Sequence, residues 1–79
     1  MEPKFITEAR RIDREWQYAS LDAVTGERVD ETAKGAILVD ANTAHRMVQA
    51  YDLISHPDKK EKAEKIGVIR FAAWVWSLT

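Results

Sequence analysis

The sequence predicts a small α+β domain: a short N-terminal antiparallel β-meander packed against two or three C-terminal α-helices. Three observations lead to it. Within Thr43–Ser55, Ala44, Met47, Val48, Tyr51 and Ile54 fall at i, i+3, i+4, i+7 and i+10, one apolar stripe on a helix. Ahead of that helix, short apolar runs are separated by Thr25-Gly26 and Lys34-Gly35, where tight turns want a residue with positive φ. After it, a charged stretch leads into Val68–Leu78, VIRFAAWVWSL, which is apolar nearly all round.

The first segment, Lys4 to Leu21, carries two patterns at once. Phe5, Ala9, Ile12, Trp16 and Ala19 follow a 4-3-4-3 spacing that suits a helix. Ile12, Arg14, Trp16, Tyr18 and Ser20 would equally line one face of a strand. The choice between helix and strand over 5–14 stays open; Trp16 to Leu21 is assigned to a strand because Trp and Tyr favour pleated structure. A hairpin across Thr25-Gly26 pairs that strand with Arg28–Glu31. Ala36–Val39, bounded by Gly35 and Asp40, forms the third strand.

The Thr43–Ser55 helix opens on Asp40-Ala41-Asn42-Thr43, residues that can cap free N–H groups. It closes before Pro57, which pushes His56 out of the α region. Ser55 can cap the next helix, with Pro57 and Asp58 suited to its first turn. Asp58–Lys65 is almost wholly charged and belongs in water. Ile66, Ile69, Ala73 and Trp76 continue one line across Gly67, so 58–78 reads either as one bent helix or as two.

Seventy-nine residues make one domain spanning 1–79, near the size at which a single core supplies only about 3–5 kcal/mol. With no cysteine, neither disulfides nor Cys-based zinc sites can reinforce it. A net charge of −1 with 32% charged residues provides no strong field towards nucleic acid or membrane. Met1-Glu2-Pro3-Lys4 runs straight into a charged segment, and no apolar run approaches the ~18 residues of a membrane span. A soluble, cytoplasmic protein is expected.

Few residues suggest chemistry. His45, Gln49, Asp52 and His56 fall at i, i+4, i+7 and i+11, where imidazole and carboxylate could hold zinc or poise a base; the plainer reading is the wet face of an amphipathic helix. Lys59, Lys60, Lys62 and Lys65 form a basic cluster able to neutralise phosphates, as do Arg10, Arg11 and Arg14. Asp58, Glu61 and Glu64 interleave with the lysines, which favours a salt-laced solvated face. Gly26, Gly35 and Gly67 are isolated, so no phosphate loop exists, and no serine sits in an elbow motif. The chain reads as a non-enzyme with no cofactor and no metal.

The informative excess is aromatic. Trp16, Trp74 and Trp76, with Phe71, Tyr51 and Tyr18, are many large rings for one small core, and Trp is enriched in interfaces. A homodimer through Ile69, Ala73, Trp74 and Trp76 would extend that core.

The second half, Thr43-Ala44, Met47-Val48, Tyr51-Asp52 and Ile54 followed by a charged break and Val68, Phe71-Ala72, Trp74 and Trp76, resembles small proteins encoded by phages and other mobile elements. In format the chain resembles the anti-CRISPR inhibitors among them. The resemblance implies a protein that binds and occludes a component of a host defence complex, possible partners including a CRISPR-Cas effector subunit, in the cytoplasm of a bacterial host. It implies no particular site residues. The acidic residues around the turns, Asp22, Glu27, Asp30, Glu31 and Asp40, are the candidates for mimicking phosphate at such a surface, against an ordinary role as turn and cap residues. The alternative function is a small nucleic-acid-binding regulator using the Lys59–Lys65 cluster.

Overall fold

The structure, a computed structural model, describes residues 2–78. Met1 and Thr79, the two ends of the expected 1–79 domain, lie outside the described residues. The architecture is α+β, with a short three-stranded antiparallel sheet followed by helices. One further helix precedes the sheet.

That helix, α1 (Lys4–Glu15), settles the ambiguity of the first segment. Phe5, Ile6, Ala9 and Ile12 bury one complete face, which a strand could not do with the same residues. The helix stops at Trp16, whose φ of 56° and ψ of 42° are left-handed, a conformation that bulky residues seldom adopt. The expected strand from Trp16 is therefore shorter. Trp16 and Tyr18 are exposed, and pairing begins only at Ala19.

Strands β1 (Ala19–Asp22) and β2 (Arg28–Val29) form the expected hairpin, with Ser20 opposite Val29 and Leu21 opposite Arg28. Strand β3 (Ala36–Val39) pairs with β1 rather than β2, from Ala19 opposite Val39 to Asp22 opposite Ala36. The order is thus β2-β1-β3, where a meander running strictly in sequence would centre on β2. Both outer strands are antiparallel to β1, hence parallel to each other, and residues 30–35 must cross from one end of β1 to the other. Leu21, Val39 and Ala19 share the buried face of the sheet with Ile37.

Helix α2 (Ala41–Leu53) begins two residues earlier than its stripe suggests, because Asp40 caps it: Oδ1 accepts the Thr43 N–H at 2.7 Å. Ala44, Met47, Ala50 and Tyr51 are buried, whereas Val48 and Ile54 are only partly covered. Ile54 already lies outside the helix with ψ of 109°. His56, and not Ser55, caps the next helix, its Nδ1 accepting the Asp58 N–H at 3.3 Å.

Helix α3 (Pro57–Ser77) is broken inside by Gly67, at φ 84° and ψ 174°. The break redirects the chain. Ala63, Val68, Phe71 and Val75 become the buried face, while the line Ile66, Ile69, Ala73 and Trp76 that runs across Gly67 in the sequence is exposed. Phe71 is the centre of the core: its ring lies 5.3 Å from that of Phe5 and 6.5 Å from that of Tyr51, joining all three helices.

Candidate functional site

The histidine and carboxylate side chains of the His45, Gln49, Asp52 and His56 series, read from the sequence as the wet face of a helix before any metal or proton site, have separate partners. His45 Nδ1 is 2.9 Å from Asp13 Oδ1 on α1, Asp52 is held by Arg10, and His56 is the α3 cap. Among the described residues no group of three or more metal-ligating side chains forms a site.

The five acidic candidates are divided by the sheet. Asp22 and Glu27 lie at one end of β1; Asp30 and Asp40 follow the strand ends at the other. Asp22 Oδ1 accepts the N–H groups of Val24 and Thr25, each at 2.8 Å, and these bonds hold its carboxyl below the usual range. Asp30 accepts from the Thr32 N–H and hydroxyl, and Asp40 from the Thr43 N–H, with the same effect. Glu27 is paired with Lys4. Glu31 is exposed in the loop after β2. All five thus stay accessible in part, but they do not make one patch.

The lysine cluster is also divided. Lys60 Nζ sits over the Tyr51 ring, 4.8 Å from its centroid, and Lys65 pairs with Glu61 at 3.2 Å. Lys59 and Lys62, three residues apart on one face, point instead towards an apolar groove.

That groove runs between the C-terminal end of α2 and the two halves of α3. It consists of three adjoining depressions of about 260, 320 and 180 Å³. The first two share Ile54, Lys59 and Trp74; the second and third share Ala50, Leu53 and Leu78. Its walls include Leu53, 83% exposed, Leu78, 60%, and Trp74, 40%, a contiguous stretch of uncovered apolar area of the kind that marks interaction surfaces. Among the described residues, every ionisable one lining it is basic: Arg46, His56, Lys59 and Lys62.

The four residues expected to mediate self-association separate into two flanks of α3. Two positions apart on a helix, Trp74 and Trp76 point about 160° away from each other around the axis. Trp74 faces the groove and lies 5.6 Å from Phe71. Ile69, Ala73 and Trp76 occupy the opposite flank, where Trp76 donates its Nε1–H to Thr43 Oγ1 at 3.1 Å and stacks under Arg46, 4.5 Å from the ring centroid.

Leu53 belongs to the groove without having been singled out in the sequence, whereas Ile66, placed by the sequence on one line with Ile69, Ala73 and Trp76, joins the groove apart from them. Leu53 carried a signal, an apolar residue set on the wet side of the α2 stripe beside Asp52. Nothing in the sequence separated Ile66 from Ile69, Ala73 and Trp76, because its orientation relative to them depends on the break at Gly67. A further hollow of about 640 Å³ lies between Trp16, Tyr18, Asp40 and Asn42.

Fold and groove together define a small α+β domain that carries an exposed apolar, base-rimmed face. Comparison with protein-family models, with curated proteins and with solved structures finds no match to this chain. No helix among the described residues is long and apolar enough to cross a membrane.

Proposed function

We propose that this chain is a small non-enzymatic inhibitor that binds another protein and occludes it, its target being a component of a host defence complex as the resemblance to anti-CRISPR proteins implies. The observation that carries the binding role is the groove, in which Leu53, Trp74 and Leu78 stay uncovered beside a well-packed core. Covering apolar area gains about 25 cal/mol per Å², so a partner seated there draws on a stabilisation the monomer leaves unused. Central aromatic anchors of this kind carry a large share of binding energy in protein interfaces. The carboxylates of Asp22, Glu27, Asp30, Glu31 and Asp40, three of them held ionised by hydrogen bonds, offer a second contact surface for a site that normally receives phosphate. They lie at both ends of the sheet, so the groove is the primary surface in this reading.

The test is interference in cells. The wild-type chain, expressed in bacteria carrying an active CRISPR-Cas system, should restore plating of a targeted phage, and a folded Leu53→Ser/Trp74→Ala variant should not. Protection by neither protein across the effector types, with no effector subunit retained on the immobilised wild type, would reject the inhibitor reading. Retardation of DNA at low salt that is lost in Lys59→Glu/Lys60→Glu/Lys62→Glu would favour a nucleic-acid-binding regulator in its place.

A further inference from the structure

We infer that the occupant of the groove is an acidic amphipathic segment of a partner protein: apolar side chains on one face, Asp or Glu alongside them. The inference rests on the groove being the contact surface, and adds to it the chemistry of what is bound.

The charge distribution carries it. The chain as a whole has a net charge of −1. Yet among the described residues the lining of the three depressions contributes Arg46, His56, Lys59 and Lys62 and no carboxylate side chain. Of the acids nearest in sequence, Asp52 is turned to Arg10 on α1, Glu61 is paired with Lys65, and Asp58, exposed in the first turn of α3 and outside the lining, lies 3.9 Å from His56. Lys59 and Lys62 are set one turn apart beside Ile54, Ile66 and Trp74, so a ligand that fills the apolar floor meets two ammonium groups along the same edge. Arg46 stands at the far end, beside Leu53, Val75 and Leu78. A segment with carboxylates flanking its apolar anchors neutralises that edge, whereas a basic or purely apolar one leaves it uncompensated. An amphipathic helix carries such anchors at i, i+3/i+4 and i+7 along one face and can set its acids beside them.

The same charges argue against a second copy of this chain in the groove. A twofold contact places the patch against the same patch of the other copy, and because the ionisable residues described in its lining are all basic, cations meet cations whichever of them face each other across the axis. Such like-charge juxtaposition is unfavourable without intervening acid.

A random peptide library displayed on phage and panned against the immobilised full chain tests this directly. Enriched peptides should combine aromatic or leucine anchors with Asp or Glu. Synthetic copies should bind at least tenfold more weakly to Lys59→Glu/Lys62→Glu, and more weakly still to Leu53→Ser/Trp74→Ala, both variants keeping the wild-type circular dichroism. Peptides that lack acidic residues, or that ignore the lysine reversal while losing affinity for Leu53→Ser/Trp74→Ala, would overturn the acidic-segment inference and leave the groove as a binding face. Peptides indifferent to Leu53→Ser/Trp74→Ala, or no enrichment at all, would remove the groove itself. A dimer in sedimentation velocity that Trp74→Ala dissociates would assign the groove to a second copy. Flotation with phosphatidylserine vesicles, lost in Trp74→Ala, would assign it to a membrane. Either result overturns the inference.

Discussion

Arg10 of α1 grips Asp52 of α2 with both terminal guanidinium nitrogens, Nη1 to Oδ2 at 3.0 Å and Nη2 to Oδ1 at 2.6 Å. Its Nε reaches Glu2 at 2.8 Å. The bidentate pair ties together the two helices that pack most extensively on each other, and the hydrogen bonds from Arg10 hold the Asp52 carboxyl below its ordinary value of 3.8. Asp22, Asp30 and Asp40 are shifted the same way by their N–H donors. A carboxyl with a depressed folded-state pKa stabilises fully above its unfolded value and ceases to do so as pH falls through the folded one. The urea midpoint should accordingly hold steady above pH 5 and decline from pH 4 towards pH 2. Asp52→Asn should lower the plateau and flatten the decline. An acid limb of unchanged slope in that variant would show that solvent screens the pair completely.

Gly26 is the position in the hairpin that no other residue fits. Its φ is 75°, and a Cβ placed there would lie 2.8 Å from the Phe5 backbone nitrogen and 2.9 Å from the Phe5 Cβ. Left-handed backbone costs a non-glycine residue about 1–2 kcal/mol before any contact is considered. Gly26→Ala should therefore destabilise by more than about 2 kcal/mol. Gly35→Ala, with φ 80° and open space around it, should cost only the conformational part. Equal denaturant midpoints for the two variants would contradict the close approach of α1 to the turn.

The α2 stripe should respond unevenly to truncation. Met47 is fully buried, so Met47→Ala should lose about 2–5 kcal/mol. Val48 and Ile54 are half-covered, and Val48→Ala and Ile54→Ala should each cost about 1 kcal/mol, near the transfer value of a methylene group or two partly removed from water. Chemical denaturation of the three variants checks this. A loss at Ile54 as large as at Met47 would mean that the groove is closed in solution.

Self-association is expected through the flank of α3 that bears Ile69, Ala73 and Trp76, away from the lysine edge. Ile69 is 56% exposed and Trp76 43%, and a twofold contact would cover both. Sedimentation velocity at micromolar concentration should then show a species of twice the 9.0 kDa chain mass. Trp76→Glu should yield monomer while Trp74→Ala leaves the dimer in place. A wild-type monomer over the whole concentration range would reserve that flank for another use.

What the sequence determined by itself was local. The period of 3.6 through Ala44, Met47 and Tyr51, the capping carboxylate of Asp40, the turns at Gly26 and Gly35 and the stop before Pro57 are each specified by a handful of neighbouring residues. They reappear in the structure almost where the pattern puts them. What the tertiary structure decided was which of two locally acceptable alternatives is buried. Phe5 to Tyr18 satisfies helix and strand periods together, and the helix prevails because Phe5, Ile6, Ala9 and Ile12 find a surface on α2. Strand β3 is compatible with either edge of the hairpin; it lies beside β1, where Val39 and Ile37 join Ala19 and Leu21 on the buried face. Beyond Gly67 two apolar faces compete. The backbone break at that glycine turns Val68, Phe71 and Val75 inward, leaving Trp76 on one flank and Trp74 on the other. The groove is a product of that turn, since its walls come from helices that the chain brings together only after folding. Local periodicity is a property of adjacent residues, but the choice between two apolar faces belongs to partners far away in the chain.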